Sequence, residues 1–475
     1  MKSVINKHMD SYSLAEVYLF EHKGVNILLD VKKSNFYSIE KGYVEVIEYL
    51  LDKKDNNKAV LSVSDEELEE IMKNLIDAEI LIDSDVEEEK TQLDFSKEVV
   101  NMVLNISQDC NLRCKYCFAS TGHYKGKREL MSVETAHKAL DWFYAQAVTS
   151  EYLNLHLFGG EPLMNIPLVE EIVKYTKELS AKYDKKIFIN ICTNGTIMND
   201  ELLQLIKENE IGLQISIDGP KEIHDMFRPT AENGSSYDLI KNNLPKLFDE
   251  LDKNSIIPRS TVSRGVTDIN GVVNHLLDDL GFTSVFFIPA MGCDNLSYAE
   301  EDLNMLFSEY DKLVDTFLNK LRNGEEYNIF PLISEIDAVG KGIRRIYGCG
   351  AGIGFASIDV KGDIYPCMRF TNNADYAIGN IYTGFNEKRQ KLLERTIYNR
   401  PKCATCWARH LCGGACIAIP VENGGDLKNN NEITCQVAQH IAKLAMYANV
   451  VIRTENLKFD KNQLKVTDFM RRRFQ

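Results

Sequence analysis

Two hydrophobic patterns alternate along the chain between residues 99 and 289. Short apolar runs, as in buried strands, alternate with longer stretches whose apolar residues recur every three or four positions, as on one face of a helix. The predicted strands are Val99–Ile106, Leu153–Phe158, Ile187–Thr193, Leu213–Ile217, Pro258–Val262 and Val285–Ile288. The predicted helices are Val133–Ala147, Ile166–Tyr183, Asp200–Asn209, Tyr237–Asp252 and Ile269–Leu280. This alternation predicts an α/β fold with a parallel sheet and outer helices, whose chemistry collects at the C-terminal strand ends.

A different pattern occupies the first 95 residues. It predicts two strands joined by a turn, two helices and a closing strand, at Val17–Phe20, Asn26–Asp30, Val44–Leu51, a helix capped by Ser64, and Ile80–Ile82. These elements predict a small winged-helix-like domain, followed by an acidic linker from Asp83 to Glu89. An unrelated packing domain is the alternative.

Charge and cysteine content narrow the function classes. The 475 residues carry a formal charge of −15, which disfavours unspecific binding to nucleic acid or to an anionic membrane. No run of eighteen apolar residues and no signal-peptide pattern is found, so the expected location is the cytoplasm. Twelve cysteines in a protein of that compartment indicate metal or redox chemistry rather than a disulfide framework.

Three cysteines, Cys110, Cys114 and Cys117, follow the strand that ends at Ile106. Three thiols this close cannot all pair as disulfides, and no histidine stands among them to complete a tetrahedral zinc site. They can hold three corners of a [4Fe–4S] cluster and leave the fourth iron open for an outside ligand. A zinc knuckle is the alternative.

This loop resembles the CX3CXΦC loop of the radical S-adenosylmethionine (SAM) enzymes, with Tyr116 in the aromatic position. The resemblance implies a partial (β/α)6 TIM-like barrel, a cluster whose open iron chelates SAM, and cleavage of SAM to a 5′-deoxyadenosyl radical. After the second strand, Gly159, Gly160 and Glu161 match the family's GGEP motif, whose backbone and acid contact the SAM amino group. Glycines let the chain pass close to a ligand, and a carboxylate complements an ammonium group.

Further SAM contacts are implied at the other strand ends. In related enzymes a serine and an arginine bind the SAM carboxylate, which the resemblance carries onto Ser216 and Arg228. Asn194 is expected to reach the ribose, while Tyr116 and Phe118 are expected to border the adenine. Most of these residues also have a structural explanation. Asn194, and Asp218 at the end of the fourth strand, could cap turns. Arg228 could pair with Asp225, and the two aromatic residues could simply pack the loop.

A second cysteine field follows Pro289 and resembles the SPASM domain in the spacing of all seven cysteines. The resemblance implies two auxiliary [4Fe–4S] clusters: auxiliary I on Cys349, Cys367 and Cys416, and auxiliary II on Cys403, Cys406, Cys412 and Cys435. A zinc ribbon would need four cysteines and leave three unexplained. With only three ligands, auxiliary I is expected to have an open iron or to borrow Cys293 or Cys192, which are otherwise ordinary buried residues. His156, His224 and His410 show no metal spacing.

Taken together, the motifs resemble the maturases of ribosomally made, thioether-bridged peptides (the SCIFF, sactipeptide and ranthipeptide group). The implied domains are leader-peptide recognition (1–95), radical SAM barrel (96–295), helical bridge (296–345), SPASM domain (346–440) and C-terminal helix with tail (441–475). The implied cofactors are three [4Fe–4S] clusters and SAM. The implied partners are a cysteine-containing precursor peptide and an electron donor such as ferredoxin or flavodoxin.

The activity implied is sulfur-to-carbon crosslinking of the peptide after hydrogen abstraction by the 5′-deoxyadenosyl radical. One alternative is another radical peptide modification, such as formylglycine-type oxidation or a carbon–carbon crosslink. A different class is a non-catalytic electron-transfer or peptide-binding protein, which would need neither the GGEP motif nor an open cluster site.

Overall fold

The computed structural model describes residues 2–9, 11–52, 61–84, 98–292 and 294–459. In the first 84 residues the elements are α1 (Lys2–Met9), β1 (Tyr12–Leu14), β2 (Val17–His22), β3 (Val25–Asp30), β4 (Phe36–Ser38), α2 (Lys41–Asp52), α3 (Asp65–Asp77) and β5 (Leu81–Asp83). β2, β3 and β4 form an antiparallel sheet in that order, and β1 pairs with β5. The elements α1, β1 and β4 were not predicted from the sequence.

The helix α3 forms as the sequence predicts. The Ser64 side chain accepts a hydrogen bond from the backbone N–H of Glu67, which satisfies one of the free donors at the start of the helix. Acidic residues fill the first turn, where the helix dipole favours negative charge. The inward face is apolar and buried, and it consists of Leu68, Ile71, Met72 and Leu75. This face belongs to a hydrophobic cluster separate from the main core.

The central region alternates strands and helices as predicted. Its elements are β6 (Asn101–Ser107), α4 (Val133–Gln146), β7 (Tyr152–Gly159), α5 (Ile166–Tyr183), β8 (Lys186–Thr193), α6 (Asp200–Glu208), β9 (Gly212–Ser216), α7 (Lys221–Phe227), α8 (Ser236–Glu250), β10 (Ile256–Val262), α9 (Ile269–Asn274), β11 (Val285–Pro289), α10 (Leu303–Arg322), β12 (Ile329–Phe330) and α11 (Leu332–Gly340). The strands β6 to β11 are parallel, each beside the next. The predicted parallel α/β architecture is therefore confirmed.

Several details of this region differ from the prediction, and among them β12 and α11 were not predicted. The helix expected over Ile269–Leu280 is α-helical only to Asn274 and continues as a π-helical turn over His275–Asp279. The short helix α7 was not predicted, because its seven residues lie between a turn and the loop that carries Arg228.

The C-terminal region continues the same sheet. Its elements are β13 (Phe355–Ile358), β14 (Asp363–Tyr365), β15 (Gly379–Asn380), β16 (Gly384–Phe385), α12 (Glu387–Leu393), α13 (Pro401–Ala404), α14 (Arg409–Cys412), α15 (Ala418–Glu422) and α16 (Glu432–Thr454). β13 pairs in parallel with β6, so the second cysteine field is joined to the barrel by backbone hydrogen bonds. The resulting sheet of described strands runs from β12 through β11 to β6 and on to β13–β16.

The N-terminal sheet docks on the C-terminal cysteine field. Tyr18 in β2 stacks on Trp407 with ring centroids 4.0 Å apart and planes 2° from parallel. The buried guanidinium of Arg409 forms a two-pronged ion pair with Glu16. The Nζ of Lys443 in α16 lies 5.5 Å from the Tyr18 ring centroid. The first 84 residues are therefore in direct contact with the loop that carries Cys406 and Cys412. None of the described helices has the length and apolar character needed to cross a membrane.

Candidate active site

The loop that follows β6 is held on two sides by backbone hydrogen bonds. The amide of Lys115 donates to the carbonyl of Phe227 (2.9 Å), which ties the loop to the end of α7. From the other side, the amide of Glu161 donates to the carbonyl of Asp109 (2.7 Å). The loop's three cysteines are only partly buried, so their thiols reach the barrel mouth. The strand end thus presents three thiols on a backbone that cannot shift freely.

Burial sets the protonation of two of these thiols, those of Cys110 and Cys114. It raises the pKa of Cys110 to about 12 and that of Cys114 to about 11, while the Arg228 guanidinium opposes the rise at Cys114. Both are therefore thiols until iron binds, and iron binds the thiolate, so loading a cluster releases protons.

The glycines of the GGEP motif pack closely against the cysteine loop. A Cβ on Gly159 would lie 2.1 Å from the carbonyl oxygen of Ser107, and a Cβ on Gly160 would lie 2.1 Å from that of Asp109. The amide of Gly160 also donates to the Ser107 carbonyl (2.7 Å). Both positions therefore need glycine for the chain to pass this close to the backbone of the cysteine loop.

Glu161 joins the ends of two barrel strands. Its fully buried carboxylate accepts hydrogen bonds from the amide of Leu163 (3.0 Å), the hydroxyl of Thr193 (2.7 Å) and the amide of Asn194 (2.7 Å). Burial raises its pKa, and these hydrogen bonds oppose the rise. The Asn194 side chain donates in turn to the Asn111 side chain (2.7 Å), within the cysteine loop. Its Nδ2 also lies 3.9 Å from the sulfur of Cys110, so Asn194 stands beside the first cysteine of the loop.

Tyr116, Asp218 and Arg228 form one hydrogen-bonded group. The Tyr116 hydroxyl donates to Asp218 and accepts from Nη1 of Arg228 (2.6 Å). Asp218 and Arg228 are both buried, at 1% and 7% exposure. Tyr116 thus orients the arginine predicted to bind SAM. Arg228 does not pair with Asp225, whose carboxylate instead accepts from the amide of Tyr237.

Behind this group lies a buried histidine with a structural role. The Nδ1 of His224 accepts from the amide of Asp218 (3.2 Å), and its Nε2 contacts the hydroxyl of Ser236 (2.8 Å). Burial, with the Arg228 guanidinium nearby, lowers the pKa of His224 to about 2, so this ring is neutral. Ser216, at the end of β9, is half-buried and stands opposite Arg259 of β10.

Two residues connect the first cysteine loop to the second cysteine field. The guanidinium of Arg369, two residues after Cys367, lies 5.3 Å from the ring centroid of Phe118 and donates to the carbonyl of Met291 (2.9 Å). The buried phenol of Tyr124 has a pKa raised well above its usual value, first by burial and then by the thiols of Cys117, Cys110 and Cys367. Tyr124 therefore lies between the two cysteine fields.

The four cysteines predicted for auxiliary II line one cavity of about 300 Å³. These are Cys403, Cys406, Cys412 and Cys435. The Asn430 side-chain amide donates to the sulfurs of Cys403 (3.3 Å) and Cys435 (3.5 Å), and that of Gln439 donates to the sulfur of Cys406 (3.5 Å). Amide donors aimed at sulfur are the hydrogen bonds that stabilise thiolate ligands of iron–sulfur clusters.

The three cysteines predicted for auxiliary I also lie together. Burial raises the pKa of Cys367, and the neighbouring thiols of Cys349 and Cys416 raise it further. Cys192 lies elsewhere: its thiol, in β8, contacts the side-chain oxygens of Asn190 (3.6 Å) and Gln214 (3.3 Å). Cys293, the other candidate for a borrowed ligand, lies outside the described residues.

The residues present suit the groups that the family resemblance implies. Thiolates are the ligands of [4Fe–4S] clusters, and each predicted set supplies three or four cysteines. In the described part of the chain, no group of three His, Cys, Asp or Glu side chains stands close enough to hold one metal ion. The buried Nε of Arg228 has no hydrogen-bond partner among the described residues, and a carboxylate would satisfy it.

Sequence reasoning missed Tyr124, Arg259 and Arg369. Tyr124 and Arg369 belong to no sequence motif, and their positions become informative only through contacts between segments far apart in the chain. Arg259 had a signal: it is a cation inside a run predicted as a buried strand, where charged residues are rare.

Comparison with known proteins agrees with the fold. Residues 104–268 match the model of the radical SAM superfamily. The chain is 25% identical over 389 residues to the cysteine-type anaerobic sulfatase-maturating enzyme of Clostridium novyi, covering 75% of this chain and 98% of that protein.

Solved structures show the same architecture. That of anSMEcpe with bound AdoMet superposes with a TM-score of 0.63 at 20% identity, covering 75% of this chain and 99% of that one. Streptococcus suis SuiB bound to its precursor peptide SuiA gives a TM-score of 0.52 at 14% identity, covering 89% and 99%. Residues 104–268 therefore form a radical SAM domain, a family whose members use a [4Fe–4S] cluster and SAM.

Proposed function

We propose that the protein is a SPASM-type radical SAM maturase that forms sulfur-to-carbon thioether crosslinks in a ribosomally made, cysteine-containing peptide. In this proposal Cys110, Cys114 and Cys117 hold the SAM cluster. Auxiliary I is held by Cys349, Cys367 and Cys416, and auxiliary II by Cys403, Cys406, Cys412 and Cys435. When bound, these groups supply a 5′-deoxyadenosyl radical, an iron site for a substrate sulfur and a route for the leaving electron.

The observation that carries the proposal is the position of the three-cysteine auxiliary I set. The Phe118 ring, one residue after Cys117, lies 6.1 Å from the ring of Tyr124 and 5.3 Å from the guanidinium of Arg369, two residues after Cys367. The auxiliary I set therefore faces the first cysteine loop. A peptide sulfur held at the three-cysteine site would therefore lie on the same side of the barrel as the SAM site. Proximity of the two reacting atoms is what the protein has to provide.

The remaining roles fall to residues of the barrel mouth. Arg228, oriented by Tyr116, would bind the SAM carboxylate with Ser216 beside it. Asn194, beside Asn111, would contact the ribose, and the backbone of Gly159, Gly160 and Glu161 would face the SAM amino group. Phe118, which is 36% exposed, would border the adenine. Crosslinking would transfer one hydrogen atom from a peptide carbon to the 5′-deoxyadenosyl radical and release one proton from the thiol. Formation of the sulfur–carbon bond would leave one electron, which clusters at these cysteines would accept.

The N-terminal sheet is the proposed binding site for the leader peptide. A disordered peptide binds such a sheet by adding a strand at an edge, and here β2 and β4 are the edge strands. Contacts of Glu16 and Tyr18 with Arg409 and Trp407 tie this sheet to the auxiliary II loop. A peptide held there would be tethered close to the barrel, which raises its effective concentration at the active site.

A second candidate is oxidation without a sulfur bond, such as formylglycine formation. It is favoured by the 25% identity to a sulfatase-maturating enzyme across nearly the whole of that protein. Internal completion of auxiliary I by a fourth protein ligand would suit this reaction better than an open site.

Mass spectrometry distinguishes the two. The reconstituted, reduced enzyme is incubated anaerobically with SAM and the precursor peptide encoded beside its gene, and the product is then treated with reductant and a thiol-alkylating reagent. Loss of two hydrogens with one cysteine no longer alkylated supports the thioether. Replacement of a cysteine sulfur by an aldehyde oxygen supports formylglycine formation from cysteine, and loss of two hydrogens with every thiol still alkylated supports oxidation of another residue or a carbon–carbon crosslink. An unchanged peptide beside 5′-deoxyadenosine contradicts both candidates for that peptide.

A further inference from the structure

Arg259 is a charged residue of the barrel sheet to which the proposed function assigns no role. It lies in β10, where its backbone stands opposite Ser216 of β9 on one side and Phe286 of β11 on the other. Its guanidinium carbon is 5.2 Å from the Phe286 ring centroid. The titratable groups that face it are Cys192, Tyr116 and Arg369, which come from β8, the cysteine loop and the C-terminal field. Arg259 therefore lies between Tyr116 of the first cysteine loop and Arg369 of the C-terminal field.

This arginine has no counter-charge within the described part of the protein. Arg228 is bound to Tyr116 and lies with Asp218, and Arg369 is paired with Glu422. For Arg259, by contrast, the facing groups include no carboxylate, and its guanidinium forms no side-chain hydrogen bond or ion pair with any of the described residues. Arginine stays charged at all physiological pH values, and a partly desolvated guanidinium without a partner is costly. An anion brought in by a ligand would remove that cost.

SAM is not the best source of that anion. Arg228, hydrogen-bonded to Tyr116 of the first cysteine loop, is the arginine that the proposed function assigns to the SAM carboxylate. Among the described residues Arg259 faces none of the three cysteines of that loop; the groups it faces are Cys192, Tyr116 and Arg369. The proposed function puts the bound peptide between the two cysteine fields, on the side of Arg369.

We propose that Arg259 is a substrate-recognition site for a carboxylate of the bound peptide, an acidic side chain beside the residue that reacts. A guanidinium can bind a carboxylate through two parallel hydrogen bonds, which fixes orientation as well as position. Such a contact would select acidic peptides and align the carbon from which hydrogen is removed. This inference rests on the proposed function, because it takes a peptide as the substrate.

The test compares R259Q with wild type on three forms of the precursor peptide encoded beside the gene. These are the native peptide, one with every Asp and Glu after the leader changed to the amide, and one with an amidated C-terminus. R264Q is the matched control, since Arg264 follows the same strand but forms an outward ion pair with Glu301 and Asp302. Two readouts are taken, peptide binding to the SAM-loaded, unreduced enzyme and kcat/KM for peptide modification.

We expect R259Q to lower kcat/KM for the native peptide about 10- to 100-fold, the range for a hydrogen bond between charged groups. With the wild-type enzyme, kcat/KM for the side-chain amide peptide should be lower than for the native peptide by the same factor. R259Q should not lower kcat/KM for the amide peptide any further, and R259K should restore part of kcat/KM for the native peptide. If R259Q and wild type instead differ on the native peptide but not on the peptide with an amidated C-terminus, Arg259 binds the terminal carboxylate. That result would overturn the assignment to a side chain. Because R259Q removes an unpaired cation, its thermal stability should match or exceed that of wild type.

Two other outcomes overturn the inference alone. One is an equal loss on native and side-chain amide peptides, which marks a structural role. The other is a raised SAM dissociation constant with peptide binding unchanged, which assigns the arginine to SAM. If wild type forms 5′-deoxyadenosine but neither binds nor modifies any of the peptides, the proposed function fails as well.

Discussion

Replacing Gly160 with alanine tests whether the GGEP motif supports the cysteine loop. The added Cβ would lie 2.1 Å from the Asp109 carbonyl oxygen, whereas real Cβ atoms stay at least 3.0 Å from other heavy atoms. One of the two backbones therefore has to move by about 1 Å. That shift breaks the hydrogen bonds from the amides of Gly160 and Glu161 to the loop, each 2.7 Å long.

The expected cost follows from these contacts. Two backbone hydrogen bonds contribute about 2 kcal/mol in total, and displacing a reacting group by about 1 Å costs about 100-fold in rate. G160A should therefore fold, with a lower unfolding temperature, and cleave SAM at least about 100-fold more slowly than wild type. Its iron content after anaerobic reconstitution should fall by about one cluster of the proposed three.

Gly354 provides the matched control for this substitution. It also lies in ordinary backbone conformation, and a Cβ there would meet only the Glu98 carbonyl oxygen at 3.6 Å, an ordinary van der Waals contact. G354A should keep wild-type iron content and SAM cleavage. Iron content and 5′-deoxyadenosine formation are measured on all three proteins; a G160A protein equal to wild type in both would refute the supporting role of the motif.

Three further substitutions test other contacts. Y116F removes the hydroxyl that orients Arg228 (2.6 Å) and should raise the SAM dissociation constant about 10-fold in calorimetry; an unchanged constant would separate Arg228 from SAM. E16Q leaves the buried Arg409 without its carboxylate and should lower the free energy of unfolding by about 1–3 kcal/mol. This figure is already reduced for solvent screening, because Glu16 is 39% exposed. Arg409 lowers the pKa of Glu16 below 4.5, so this stabilisation is fully present above pH 4.5. The difference in unfolding temperature between E16Q and wild type should therefore shrink as the pH falls below 4.5 and vanish once Glu16 of the folded protein is protonated. A pH-independent difference would contradict the ion pair. C114A should abolish SAM cleavage, whereas C416A should retain it and stop crosslinking; crosslinking by C416A would exclude auxiliary I as the sulfur site.

The barrel could be predicted because its signals are local. Helix α5 begins and ends where the sequence predicts it, at Ile166 and Tyr183, and each of the six strands lies within two residues of its prediction. An apolar run or a helical repeat reports burial directly, since each residue's environment depends on its neighbours in the chain. The strands β13 to β16 were missed because they have two to four residues each, too few for a periodic pattern.

Contacts between distant segments could not be predicted in the same way. The glycine pair was recognised as a point of close approach, yet only the structure identifies the approaching group as the backbone of Ser107 and Asp109. Likewise, Arg228 could be singled out, but its partner Tyr116 lies 112 residues away in the chain. The spacing of the cysteines could indicate the proposed ligand sets, because such sets recur with fixed gaps along the chain. Whether Arg259 has a counter-charge depends on groups from several distant segments, and the sequence does not show which of them come together.

The relation between the two cysteine fields depends on the sheet more than on the loops that carry them. β13 pairs in register with β6, from Phe355 opposite Asn101 to Ile358 opposite Leu104. The first field follows β6, and the second begins with Cys349 just before β13 and continues after it, so both adjoin neighbouring strands of one sheet. A slip of one residue would shift β13 by about 3.3 Å and reverse the faces of its side chains. Ala356 and Ile358 are fully buried in the main core, and Ser357 between them accepts a hydrogen bond from the Asn105 side chain (2.9 Å), so a slip would break both sets of contacts. The hydrophobic pattern of one four-residue strand therefore determines the distance over which the two cysteine fields act together.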